Sequence, residues 1–181
     1  MGLLLLLVGV PLVATNVSAQ EPASDDELAA QATDPTAALM SLQLNDWYTA
    51  SFHDQDGSAN QVVFRPVIPF RLLGTQHIFR ATVPYFTSSP SGSTGLADIT
   101  IFDLVVFNQS WGRWGVGVSG TLPSGADGLT TDKWTAGPAA GFVNSSGKTY
   151  RWGLFAQTFF SFAGDSDAHE VGLVNIQPIL S

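Results

Sequence analysis

A chain of 181 residues with 45% apolar and only 12% charged side chains carries little charge for a water-facing globule. Its formal net charge of -8, with seven Lys and Arg in all, leaves phosphate no basic face, so nucleic acid is not an expected partner. The absence of cysteine removes both a disulfide framework and a thiolate metal site.

The first segment, MGLLLLLVGVPLVATNVSA, has an apolar stretch from Leu3 to Leu12 and ends in Val17-Ser18-Ala19. This is the pattern of a signal peptide over 1–19 with cleavage before Gln20. The usual basic residues are missing from its start, which points to a precursor that begins further upstream. The other reading is an N-terminal membrane anchor, but about ten apolar residues are too few to cross roughly 30 Å of hydrocarbon as a helix. No later segment reaches the roughly eighteen uninterrupted apolar residues of a helical span. Residues 20–38, QEPASDDELAAQATDPTAA, are acidic and Ala-rich with no sustained apolar face, and read as a disordered periplasmic leader.

From Leu39 onward Gly, Phe, Trp and Val dominate, with polar clusters at short intervals, a composition that favours strands. The alternation predicts eight strands, near 41–52, 61–71, 76–86, 96–107, 113–123, 133–143, 150–162 and 171–181. Each is long enough to cross a bilayer at a tilt, whereas soluble strands are commonly half that length. The clearest sets Trp114, Val116, Val118 and Leu122 against Arg113, Gly115, Gly117, Ser119 and Thr121. The next repeats it, with Trp134, Ala136, Pro138, Ala140 and Phe142 against Lys133, Thr135, Gly137, Ala139 and Gly141.

The basic residues test this pattern, because a Lys or Arg facing lipid at the midplane costs roughly 2 to 4 kcal/mol. Arg65, Arg71, Arg80, Arg113, Lys133 and Arg151 all fall on the parity opposite to the aromatic and branched residues. The 96–107 strand fits worst. Asp98 and Asp103 lie on opposite parities within it, which calls for a bulge or an interfacial position. Connections alternate in length: HDQDGSAN, TSSPSGSTG, SGADGLTTD and AGDSDAHE interleave with the shorter LLGT, NQSWG and NSSGKT. An up-and-down barrel predicts that, with short turns on the periplasmic side.

The segments ALMSLQLNDWY, VVFRPVIPF, ATVPYF, STGLADITIF, WGVGVSGTLPSG, KWTAGPAAGF, WGLFAQTFFSFAGDSD and NIQPILS, in this order, resemble the outer-membrane barrel "transporter" family named for the meta-pathway of phenol degradation. That resemblance covers residues 39–181 and implies a transporter of hydrophobic or aromatic compounds, with further strands beyond NIQPILS. The last strand also lacks the closing aromatic residue common in such barrels. The expectation is therefore a fragment of a larger barrel, and the alternative is a closed eight-stranded one with a filled interior.

Gly115-Val-Gly117-Val-Ser-Gly120 matches G-x-G-x-x-G, but Pro123 follows where a helix should open, so strand glycines are the better account. Asp54-Gln-Asp56 and Asp165-Ser-Asp167-Ala-His169-Glu170 offer oxygen ligands without completing a calcium loop, and solvated outer loops are the plainer reading. His53, His77 and His169 lie on separate segments, and no nucleophile elbow flanks any serine, so no catalytic residue and no enzyme activity is predicted. Trp111, Trp114, Trp134 and Trp152 are read as an aromatic girdle near the short turns, with carbohydrate stacking as the sharper alternative. Arg65, Arg80, Arg113, Lys133 and Arg151 could line a pore that favours anionic or polar solutes. Equally, they could pair with Asp98 and other carboxylates in a plugged interior.

The resulting expectation is an all-β protein, an antiparallel up-and-down transmembrane β-barrel over 39–181. It is exported to the bacterial outer membrane, has lipid and a small-molecule solute as partners, and has no cofactor and no metal. Its expected work is passive transport. The alternatives are a closed structural barrel and a secreted lipocalin-like binder. The last differs only in which parity faces inward, and alternation alone does not separate inside-out versions.

Overall fold

The computed structural model describes residues 34–53, 56–147 and 150–180. The expected signal peptide and residues 20–33 of the expected leader lie outside them. The described residues form strands, turns and loops: β1 (Ser41–Thr49), β2 (Ala59–Leu72), β3 (Thr75–Ser88), β4 (Gly95–Leu96), β5 (Ile99–Gln109), β6 (Gly112–Leu122), β7 (Lys133–Asn144), β8 (Trp152–Gly164) and β9 (Gly172–Leu180). Each long strand pairs antiparallel with the next in chain order, β1-β2-β3-β5-β6-β7-β8-β9, and the two-residue β4 is a spur on β3. The sheet curls into a half-barrel. Among the described residues β1 and β9 are paired on one side only.

The strand expected at 96–107 is interrupted, and the cause is the parity conflict in its sequence. β4 meets β3 through Leu96 opposite Tyr85, while β5 meets it through Thr100 opposite Thr82, so the register slips by one residue between the two. Asp98 falls in that gap. Its carboxylate accepts from the Gly125 and Thr131 backbone N–H groups (3.1 and 2.7 Å) and from the Thr131 hydroxyl (2.7 Å). A carboxylate that would have disturbed a strand instead anchors the long β6–β7 loop.

The β2–β3 connection turns on Leu73 and Gly74, both at positive φ (51° and 82°), as a tight two-residue hairpin turn requires. Leu73 is the unusual occupant, since asparagine or glycine adopts that conformation with less strain, and its side chain is 96% exposed.

A proline inside a central strand needs a separate account, because it removes a ladder donor. Pro138 in β7 lies across from Thr158 in β8, and the pairing skips both residues between Ala136 opposite Phe160 and Ala139 opposite Gln157. Two hydroxyls replace the missing bonds. Thr158 Oγ1 donates to the Pro138 carbonyl at 3.0 Å, and Ser119 Oγ, reaching from β6, donates to the Thr158 carbonyl at 2.8 Å. Ser119 can reach across β7 because Gly137 stands between them. A Cβ there would overlap both the Thr158 hydroxyl and its carbonyl oxygen.

Ser119→Ala is therefore expected to leave the Thr158 carbonyl without its donor and to cost about 1 to 3 kcal/mol. Unfolding midpoints in denaturant check this. An unchanged midpoint would show that water or backbone movement replaces the hydroxyl.

Candidate functional site

Antiparallel partners share a face, so the register assigns every side chain to one side of the half-barrel. Val67 opposes Arg80, Arg80 opposes Phe102, and Phe102 opposes Ser119, and all four face the concave side. Leu44, Phe64, Ile68, Val116, Val118, Trp134, Phe160 and Ile176 face the convex side and are exposed. The parity left open by the alternation is thus resolved: the exposed apolar residues are outside. On the concave side Ile78, Leu104, Val106, Val143 and Phe155 form a buried cluster, and Arg65, Arg80, Arg113 and Lys133 share that face with them. Arg151 precedes β8 and, with Arg113, borders a pocket at the short-turn end.

The concave bases meet three different fates. Arg113 is bonded to Asp34 Oδ2 at 2.5 Å. Asp34 is 6% exposed, and its other oxygen accepts from the Thr36 backbone N–H and hydroxyl, both at 2.7 Å. The end of the expected disordered leader is therefore packed: residues 34–37 are buried against the concave face at the short-turn end. The physical reason is a charge match and a local Asx turn that the composition of 20–38 did not reveal.

Lys133, almost fully buried, reaches Glu170 Oε1 at 3.0 Å. Hydrogen bonds from Ser161 and then Lys133 hold the exposed Glu170 carboxyl below its ordinary range. Glu170, offered by its sequence context as a loop oxygen donor, is committed to this pair.

Arg65 and Arg80 have no carboxylate partner among the described residues. Each lies over a ring: Arg65 Cζ is 4.9 Å from the centre of Trp47, and Arg80 Cζ is 4.3 Å from Phe102 and 5.8 Å from Phe155. Both Nε atoms are buried and find no acceptor in the protein. They border a concave cavity of about 540 Å³ whose wall also includes Gln157, Asn175 and Gln177, and which spans from β1 to β9. Asp98, expected as a possible partner of these bases, is held in the loop instead.

Asp103 takes the opposite course. It lies on the convex parity in β5, and the residue that meets it is His77 on β3. His77 Nδ1 is 2.9 Å from Asp103 Oδ2. Thr75 Oγ1 donates to the Leu72 carbonyl at 2.7 Å, so its oxygen accepts from His77 Nε2 at 2.9 Å. His77 thus bridges Thr75 and Asp103 through its two ring nitrogens. Phe70 stacks on the imidazole at 5.0 Å between ring centres, shielding it further.

Of the tryptophans expected at the short turns, three are there. Trp111 lies in the β5–β6 turn, Trp114 stacks on Phe107 at 4.5 Å, and Trp152 meets Phe142 edge-on at 5.5 Å. Trp134 is not with them. It opens β7 after the long 123–132 loop and pairs with Ala163, placing it at the other end of the sheet. Gly115, Gly117 and Gly120 all lie within β6, and no helix follows them. His77 sits at the short-turn end of β3, away from the loops carrying His53 and His169. Among the described residues no three His, Cys, Asp or Glu side chains form a group that could hold a metal. Asp54 lies outside the described residues.

No family model matches the sequence, and no curated protein or solved structure does either.

The sequence reading found the bases but missed their surroundings. Trp47, Gln157, Asn175 and Gln177 carry no motif, and only strand register brings them to one cavity. The His77–Asp103 pair was within reach, since both residues break the apolar parity of strands that turn out to be neighbours.

Two predictions follow from these carboxylates. Burial opposes charge on Asp98, but the hydrogen bonds from Thr131, Thr130 and Gly125 outweigh it and hold the carboxyl below its ordinary value. A depressed folded pKa means that the stabilisation is complete above about pH 4, near the unfolded value, and is lost as pH falls through the lower folded value. The protection of the Gly125 and Thr131 amides, taken relative to the intrinsic exchange rate at each pH, is expected to fall over that acid window, and Asp98→Asn should abolish the dependence. For the convex pair, His77→Leu alone should cost about 1 to 3 kcal/mol by stranding Asp103. His77→Leu combined with Asp103→Leu should recover most of that. Strictly additive unfolding free energies would show that the two residues are not coupled.

Proposed function

We propose that the chain is an outer-membrane β-barrel protein whose convex face meets lipid and whose concave face lines a passive route for small solutes. One observation carries this reading: apolar side chains stand exposed on the convex side of strand after strand, while bases occupy the opposite parity. A water-facing surface of that kind would be a large unpartnered apolar patch, and hydrocarbon is the solvent that favours it. Strand lengths support the reading, with 14 residues in each of β2 and β3 and 11 in β6. Roughly 9 to 11 tilted residues span a membrane. Trp111, Trp114 and Trp152 at one end suit an interfacial girdle, and Trp134 suits the opposite interface. A soluble lipocalin-like binder would need the large apolar parity on the concave side. Export by a signal peptide over 1–19 and a preference for hydrophobic or aromatic compounds, as the meta-pathway barrels suggest, belong to the same proposal.

A second reading, a closed structural barrel, has its own support. The apolar cluster and the Asp34–Arg113 contact fill the concave side at the short-turn end.

Single-channel recording in planar bilayers, on the full-length gene product refolded in detergent, separates the two. Stepwise conductance that falls when Arg80 and Arg113 are replaced by bulky neutral residues is the expected result. A protein that inserts and shows heat-modifiable migration but stays silent is the closed form. One that remains soluble without detergent and never inserts overturns both.

A further inference from the structure

Arg65 and Arg80 border a cavity on the concave face and hold positive charge there with no carboxylate partner among the described residues. Arg113 has Asp34 and Lys133 has Glu170. Arg65 and Arg80 have rings near them, and a ring attracts a cation without accepting its N–H bonds as an oxygen does. Their Nε atoms are buried and find no acceptor, so a ligand's oxygens fall to the Nη groups of the same forks. In-plane N–H donors arranged as a fork match two oxygens on one atom, the geometry of a carboxylate. The two arginines are diagonal neighbours on adjacent strands, since Val67 opposes Arg80 and Arg65 lies two residues before Val67. That places them within reach of one ligand.

The remaining wall is mixed. Gln157, Asn175 and Gln177 supply neutral amides, while Phe102 and Phe159 supply apolar surface. An inorganic ion would leave that apolar wall without a partner. We infer that this cavity binds a small organic carboxylate, its two oxygens on the Nη groups of Arg65 and Arg80 and its apolar body against Phe102 and Phe159. The site rests on the proposed pore only in its role: within that reading it is the station that selects anionic solutes. Binding itself needs only the concave face.

Calorimetric titration of the detergent-refolded full-length chain with benzoate, benzamide and inorganic phosphate tests the assignment. Benzoate is expected to bind about tenfold or more tightly than its neutral isostere benzamide, and more tightly than phosphate. Arg65→Gln and Arg80→Gln should each weaken benzoate by about tenfold or more, with benzamide unaffected. Arg80→Lys, which keeps the charge and loses the fork, should recover part of the loss. Equal binding of benzoate and benzamide, tighter phosphate binding, or full benzoate affinity in both glutamine variants would overturn the proposal. Should the glutamine variants fail to show heat-modifiable migration, Arg80→Lys and the benzoate-to-benzamide ratio of the native chain decide it. Conductance without benzoate discrimination retires the site and keeps the pore. Discrimination in a protein that does not conduct does the reverse.

Discussion

Everything in this fold depends on holding a period of two without slipping, from β1 to β9. A shift of one residue in β2, β3, β6 or β7 would carry its arginine or lysine to the convex face and its exposed apolar residues inward. The irregularities lie where they do least harm. One is between Asn60 and Gln61, one between Trp134 and Thr135, and one at the gap between β4 and β5. All three sit at the long-loop ends of their strands. The strand bodies keep their parity, and the extra residues are absorbed where loops can move.

The same constraint explains why side-chain hydroxyls appear inside the sheet. A curled sheet buries its backbone on the concave side, so a donor lost to proline has to be replaced locally. Ser119 and Thr158 replace it at Pro138, and Gly137 keeps the path open between them. Glycine on the concave face is thus a packing requirement. Gly117, too, leaves no room for a Cβ beside the Asp103 carbonyl oxygen.

The alternation made the strands and their order legible and put the bases on one common parity, but left open which parity faces inward. Trp114, Val116 and Val118 against Arg113, Gly115 and Gly117 is a pattern that few other structures would tolerate. The partners were not legible, because partnership depends on register between strands and on loops. Asp34 sits in a stretch whose composition reads as disorder, yet its carboxylate, held by Thr36, pairs with Arg113. Asp98 and Asp103 looked like a single problem in one strand. They are two solutions, one a loop anchor and the other half of a hydrogen-bonded pair with His77. Trp134 lies at the other end from Trp111, Trp114 and Trp152, because the long 123–132 loop leads into β7 directly before it.

The two ends of the concave face differ in how they treat charge, and that difference bears on what the molecule can do. At the short-turn end Arg113 is neutralised by a carboxylate, and apolar side chains fill the space around it. Toward the long loops Lys133 is met by Glu170, whose other oxygen is held by Ser161. Between them, Arg65 and Arg80 are left with aromatic faces and amides. A ring attracts a cation but does not cancel its charge, and two guanidiniums on neighbouring strands repel each other. A stretch built only for stability would have brought a carboxylate here, as the chain does at Arg113 and Lys133. On the reading proposed above, two uncompensated cations side by side are the local cost of a solute-binding face, because the missing negative charge is then the ligand's to supply.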